Sequence, residues 1–279
     1  MEISTVLGLI VSAFAIGYGV ILKGIPIGAL FSNPAAYLII IGGTVAVTLN
    51  AFTMDELKRL PQLLRFVVMG VRFPDENKLI DRFMEWAIIA RREGILALEA
   101  HVDEVEDPFL RNGLKMVVDG RDMEFIRDAL LQDIQAMEER HARYASIFSQ
   151  AGTYAPTLGV LGAVVGLIAA LSNIDDTNQL GAAIAAAFIA TFLGIFTGYV
   201  LWFPFANKLN VLTKREVALK LLMVEGILSL QSGMSPTNIE EKLVLFLPLS
   251  VRAAREREKE AAKRRGVEVK EGEAAGIAQ

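Results

Sequence analysis

The sequence predicts an all-α membrane protein with four transmembrane helices, a large helical cytoplasmic segment between the second and third, and a cytoplasmic C-terminal tail. Three observations predict it. The segments Ile3 to Leu22, Ala35 to Phe52, Gly152 to Leu171 and Leu180 to Phe203 contain no charged residue. At about 1.5 Å per residue, roughly 20 such residues cross the ~30 Å hydrocarbon layer. Apolar residues make up 53% of the chain and the mean hydropathy is +0.42, with the apolar positions in blocks rather than at amphipathic spacing. No strand-like alternation of useful length occurs.

The first span begins after Glu2 rather than a basic region and is long enough to cross the bilayer, so it reads as a retained helix rather than a signal peptide. Lys and Arg are distributed unevenly: fourteen lie between Thr53 and Gln150, thirteen after Phe203, and only Lys23 in the two short loops. The positive-inside rule therefore places both large polar segments and both termini in the cytoplasm. Residues 23–34 and 173–179 become short external loops, the second carrying Asp175 and Asp176.

Residues 53–150 read as helical. Leu57, Leu60, Leu64, Val67 and Val71 form one stripe, suited to lying along the inner membrane surface. A second helix spans Asp75 to Arg92 and stops at Gly94, and a short one covers Ile95 to Val105, before Pro108. From Met123, the stripe Ile126, Leu130, Ile134 and Met137 runs without Gly or Pro into the third span, predicting one long helix. The fourth span likewise continues past Pro204 through Lys208 to Leu230. These extensions suit mechanical coupling between bilayer and cytoplasm. The expected segments are thus 1–52, 53–150, 151–203 and 204–250, followed by a charged tail, 251–279, expected to be disordered after an initial helix.

Several function classes lack the residues they need. A net charge of −4 gives no electrostatic reason to expect nucleic acid. With zero cysteines, thiolate metal sites and cysteine nucleophiles are impossible. His101 and His141 are forty positions apart, without metal or triad spacing, and there is no glycine-rich phosphate loop. No catalytic residue, metal site or cofactor is expected. Since no span holds a carboxylate, the chain cannot carry a proton relay through the bilayer on its own carboxylates, and if ions move a partner supplies the carrier.

Within the spans, Gly159, Gly162 and Gly166, and Gly194 opposite them in the fourth, permit close helix packing, inside the bundle or against a partner helix. Pro156 and Pro204 each remove a backbone donor and read as kinks or hinges. The hydroxyls of Thr191 and Thr197 serve either an ion or water, or their own i−4 carbonyls.

The strings PTLGVLGAVVGLIAALSN at Pro156 to Asn173 and AAFIATFLGIFTGYVLWFPFANKL at Ala186 to Leu209 resemble the flagellar motor stator A-subunit family, MotA, of the MotA/TolQ/ExbB proton channel family. The resemblance covers nearly the whole chain. It implies a pentamer of A subunits around a dimer of the stator B subunit, MotB, whose membrane aspartate binds the ion. It further implies conformational coupling at Pro156 and Pro204 and an ion pathway beside Thr191. The segment ARREGILALE resembles the rotor-contacting stretch, so Arg91 and Glu99 are the candidates to meet the rotor switch protein FliG. Sodium-driven relatives carry a threonine where this chain has Ala163, which implies protons rather than sodium as the coupling ion. An ExbB- or TolQ-like energiser of outer-membrane transport, a three-span type, and a non-conducting membrane scaffold stand as alternatives. A substrate transporter would need mid-membrane polar groups or repeated halves, and neither is evident.

Overall fold

A computed structural model describes residues 3–31, 33–172 and 177–261. The described residues contain helices and turns and no strand. Among the described residues, four helices are long and apolar enough to cross a membrane: Ile3–Leu22, Pro34–Ala51, Met123–Leu171 and Leu180–Gln231. The expected external loop at 173–179 falls largely outside the described residues, as do residues 262–279 of the tail.

The chain divides into two compact units, Met1–Arg72 with Ala136–Arg215, and Phe73–Gln135 with Glu216–Gln279. This partition differs from the segments expected from sequence, because residues 53–72 and 136–150 pack with the spans. Leu63 and Val67 share a buried cluster with Ala145, Phe148, Ala206 and Leu209. Phe148, Trp202 and Phe205 form an aromatic group there, with centroids 6.3 to 6.5 Å apart, in the range for favourable ring pairing.

The single stripe expected over Leu57 to Val71 is corrected. Two helices replace it, Met54–Leu57 and Leu60–Met69, the second with Pro61 in its first turn and ending at Gly70, whose φ is 77°. A positive φ of that size suits only glycine, so the chain turns before Val71. Leu57 and Val67 are buried as expected, but Leu64 and Val71 are 37% exposed and Leu63 takes the inward position.

In the first unit the span Ile3–Leu22 has no fully buried residue; Thr5, Leu9 and Ser12 are half-buried on the face toward the fourth span, where Lys208 donates to Ser4 at 3.4 Å, and most of the rest of its circumference is exposed. The second span starts with Asn33, whose side chain accepts from Ala36 N–H at 3.1 Å, and Pro34 in the first turn. That pairing is a helix-start signal, since proline lacks a donor the first turn cannot use. Asn33 Nδ2 also donates to the Ala186 carbonyl at 3.3 Å, tying the second span to the fourth.

In the second unit, Glu76–Glu93 is capped by Asp75, which accepts from Asn77 and Lys78 N–H at 2.9 and 3.4 Å, and stops at Gly94 with φ 90°. Residues Ile95–Leu98 form a 3-10 turn and Glu99–Val102 a short helix, where one helix to Val105 was expected. Asp107 caps Pro108–Val118. Ile126, Leu130 and Ile134 join Phe83, Leu114, Leu222, Met223 and Ile227 in one core. Gly226 abuts the Phe83 ring so closely that a Cβ would lie 2.5 Å from Cζ.

Residues 249–261 are helical. Arg255 from this helix donates to Asp81 at 2.6 Å and to Glu240 at 2.9 Å, and Lys259 pairs with Glu240 at 2.5 Å. The charged helix expected to open the tail is thus present and held through Arg255 and Lys259, and the stretch expected to be disordered lies outside the described residues.

The candidate site between the third and fourth spans

The third and fourth spans meet backbone to backbone within the first unit. A Cβ placed on Gly159 would lie 2.9 Å from the Ala190 carbonyl oxygen and 3.0 Å from Gly194 Cα. One placed on Gly194 would lie 2.7 Å from the Ala155 oxygen. No side chain larger than hydrogen fits at either position. In lipid, where packing rather than hydrophobic expulsion drives helix association, such small-residue seams hold helices together. Gly162 and Gly166 are different. A Cβ on Gly162 meets only ordinary contacts, from 3.6 Å outward, and one on Gly166 meets nothing within 4 Å.

Pro156 lies inside the continuous helix Met123–Leu171. Having no N–H, it cannot donate to Gly152, the carbonyl four residues earlier. That oxygen faces Gly198, where a Cβ would come within 2.9 Å of it and 2.9 Å of Pro156 Cγ. The glycine hydrogen occupies this space, a geometry suited to a weak Cα–H···O contact with the orphaned carbonyl.

Gly198 belongs to a π turn, Thr197–Trp202, whose Phe203 N–H reaches back five residues to the Gly198 carbonyl. Pro204 follows two residues later and is exposed. A proline ring clashes with the carbonyl four residues before it, and the wider π turn relieves that crowding. Thr197, at the start of the turn, donates to the Leu193 and Gly194 carbonyls at 2.9 and 3.1 Å. The two prolines thus border one irregular stretch of the fourth span: Pro156 packs on it from the third span, and Pro204 follows it in the chain. Both prolines are legible in the sequence, whereas the π turn has no composition signal.

Thr191 is half-buried and donates to its own i−4 carbonyl, Ala187, at 3.2 Å. Its oxygen keeps acceptor capacity, because a hydroxyl that donates one bond retains lone pairs. Ala163 is half-buried on the third span. Arg91 and Glu99 lie in the second unit, in the last turn of Glu76–Glu93 and the first of Glu99–Val102, and both are exposed. Among the described residues no three His, Asp or Glu side chains come together as metal ligands would.

The MotA/TolQ/ExbB proton channel family matches residues 101–220. The chain is 54% identical over 248 residues to Motility protein A of Bacillus subtilis (strain 168), covering 89% of this chain and 92% of that protein. It is 34% identical over 253 residues to Chemotaxis protein PomA of Vibrio alginolyticus, covering 91% and 98%. Among solved structures, it resembles the flagellar MotAB stator complex from Bacillus subtilis with a TM-score of 0.84 and 53% identity, covering 90% of this chain and 98% of that one. Four helices long and apolar enough to cross a membrane, a glycine seam between the third and fourth, and 54% identity to Motility protein A across 89% of the chain agree: the chain belongs to the MotA/TolQ/ExbB proton channel family, as a flagellar stator subunit.

Proposed function

We propose that this chain, with a MotB-type B subunit, forms a channel that couples proton flow across the cytoplasmic membrane to torque on the flagellar rotor. The observation that carries the reading is the seam of the third and fourth spans. It is built without any Asp, Glu, His, Lys or Arg, yet it is bordered by two prolines and a π turn. Such a wall can sense a charge change without supplying one, so the ion-binding carboxylate belongs to the partner.

In this reading five A subunits surround a B dimer in membrane lipid, and both termini are cytoplasmic. Thr191 borders the ion path, and Ala163, lacking a hydroxyl, leaves one oxygen ligand fewer for a desolvated sodium ion. Protonation of the partner carboxylate alters charge in a low-dielectric ring and shifts the A ring against the B dimer. One charge crossing 100 mV releases about 2.3 kcal/mol, several times thermal energy.

Arg91 and Glu99 meet charged groups of FliG. An exposed pair contributes only about 0 to 1 kcal/mol, so these contacts form and break at each step. Identity of 54% to Motility protein A across 89% of the chain favours the motor over an ExbB- or TolQ-like energiser, and a scaffold has no use for the proline-bordered turn.

The test is deletion of the gene in its host, with flagella scored by microscopy and swimming in the same cells. Normal filaments that do not turn are expected. Unchanged swimming with impaired envelope transport would move the chain to the ExbB-like role.

A further inference from the structure

The first unit holds a groove of about 300 Å³ between the first and fourth spans. One wall is Ser4, Thr5, Gly8 and Leu9, and the other is Val200, Pro204, Phe205 and Lys208. A Cβ built on Gly8 would meet nothing within 4 Å, so the space before it is open.

The chemistry of the groove changes along its length. Ser4, Thr5 and Lys208 lie at one end. Leu9 and Val200 lie about 8 to 12 Å further along the spans at 1.5 Å per residue, where Ser12 and Tyr199 each add a hydroxyl to an otherwise apolar lining. Ser4 stands at the start of the first span, and Lys208 is the first charge after the apolar run of the fourth. The polar end of the groove therefore lies at the membrane surface and the apolar part in hydrocarbon.

The described lining contains one cation and no carboxylate. Lys208 is half-buried, and its Nζ donates to Ser4 Oγ at 3.4 Å. An ammonium has three donors, so an anionic oxygen can join it with that contact kept. A free phosphate would use the polar end alone, and an apolar helix the other part alone. An amphiphile with an anionic head uses both.

We propose that this groove holds an anionic glycerophospholipid. Its phosphodiester meets Lys208, Ser4 and Thr5, and an acyl chain lies along Gly8, Leu9 and Val200. Basic pockets between membrane helices take anionic headgroups in this way. Tyr199 and Val200 belong to the π turn and Pro204 follows it, so the bound lipid lies against the irregular stretch of the fourth span. By the positive-inside rule its leaflet is the cytoplasmic one, though the chemistry of the site does not depend on that orientation.

The experiment titrates the full stator complex in detergent with dioleoyl phosphatidylglycerol or dioleoyl phosphatidylcholine and counts bound lipid by native mass spectrometry. Detergent has no sidedness, so the site is tested apart from the orientation. Phosphatidylglycerol is expected to bind about fivefold more tightly, the effect of one basic residue beside an anionic headgroup. Lys208→Gln should remove that preference. Gly8→Leu fills the slot while keeping the ammonium, and it should weaken binding to a similar extent. Equal binding of the two lipids by the unaltered complex would overturn the proposal. If Lys208→Gln removes the preference and Gly8→Leu changes nothing, the lysine acts as a general surface charge and the groove is wrong. Displacement of the lipid by an equal concentration of glycerol 3-phosphate would make the site one for a soluble phosphate ester instead.

A second measurement needs no variant. Phosphatidylglycerol carrying a photoactivatable diazirine on its acyl chain is irradiated with the unaltered complex, and the labelled peptides are mapped by mass spectrometry. Labelling is expected on the segments 4–12 and 199–208, and to fall when unlabelled phosphatidylglycerol is added. Labelling confined to other segments would overturn the site.

Discussion

Gly198 faces the carbonyl oxygen of Gly152, the acceptor that Pro156 leaves without its helical donor, with room for a hydrogen and no more. A Cβ there would also strike the Pro156 ring, at 2.9 Å from Cγ. Gly198→Ala must therefore push the third and fourth spans apart at the π turn. Overpacking of this kind costs about 1 to 3 kcal/mol. The expected outcome is a lower melting temperature of the purified complex and reduced torque in tethered cells.

Pro156→Leu restores an N–H four residues after Gly152 and straightens the local hydrogen-bond ladder. The glycine seam at Gly159 and Gly194 is untouched, so the complex should assemble at normal yield. Rotation should be abolished if the proline supplies the hinge. Full swimming by this variant would remove Pro156 from the coupling mechanism.

Arg91 and Glu99 are exposed, so their substitution should leave stability within about 0.5 kcal/mol of the original. Charge reversal at either is expected to reduce torque, and a complementary reversal on FliG to restore part of it. Bead assays on the four combinations measure this, and absence of rescue by any rotor charge would argue against direct pairing.

Arg255 clamps the helix at 249–261 onto Asp81 and Glu240, with Arg255 11% and Glu240 8% exposed. Removing one member of a buried pair costs about 3 to 5 kcal/mol; for Arg255→Ala about 2 kcal/mol is expected, since Asp81 and Lys259 are more than half exposed. Amide exchange across 249–261 should then accelerate about thirtyfold.

The same clamp carries a pH dependence. Burial pushes the Glu240 carboxyl up, but hydrogen bonds from Lys259 and Arg255, and their charges, outweigh burial and hold it below its ordinary 4.5. A depressed pKa stabilises the fold fully above the unfolded value and loses that stabilisation as pH falls through the folded one. Protection of 249–261 should be level from neutrality to about pH 5 and decline below 4.5. In Glu240→Gln this acid loss should be smaller.

The coupling ion is read from Ala163 and the absence of a hydroxyl there. Swimming speed should be unchanged when sodium is replaced by potassium at fixed pH, and should fall with a protonophore. Speed that follows external sodium would reverse the assignment.

By itself the sequence determined what is local. Spans follow from uninterrupted apolar runs, the Asp75 cap and Gly94 stop from backbone chemistry at single residues, and the long helices from the stripe Ile126, Leu130, Ile134 and Met137, all of which are buried. The lack of charge in the spans is visible in composition as well. Tertiary structure alone decided which of several equivalent residues meet. Gly159 and Gly194 lie at the helix crossing, while Gly166 has open space around it, though all are glycines in apolar helices. Only the crossing point distinguishes them. Leu63 turns inward in place of Leu64 because the chain restarts at Leu60 and ends at Gly70, which rotates the helix face relative to a continuous stripe. Arg255 reads as one more charge in a charged tail, and its role appears only when Asp81 and Glu240, 174 and 15 positions away, fold against it. Contacts between distant positions leave no periodicity in the chain, so they are settled by packing rather than by pattern.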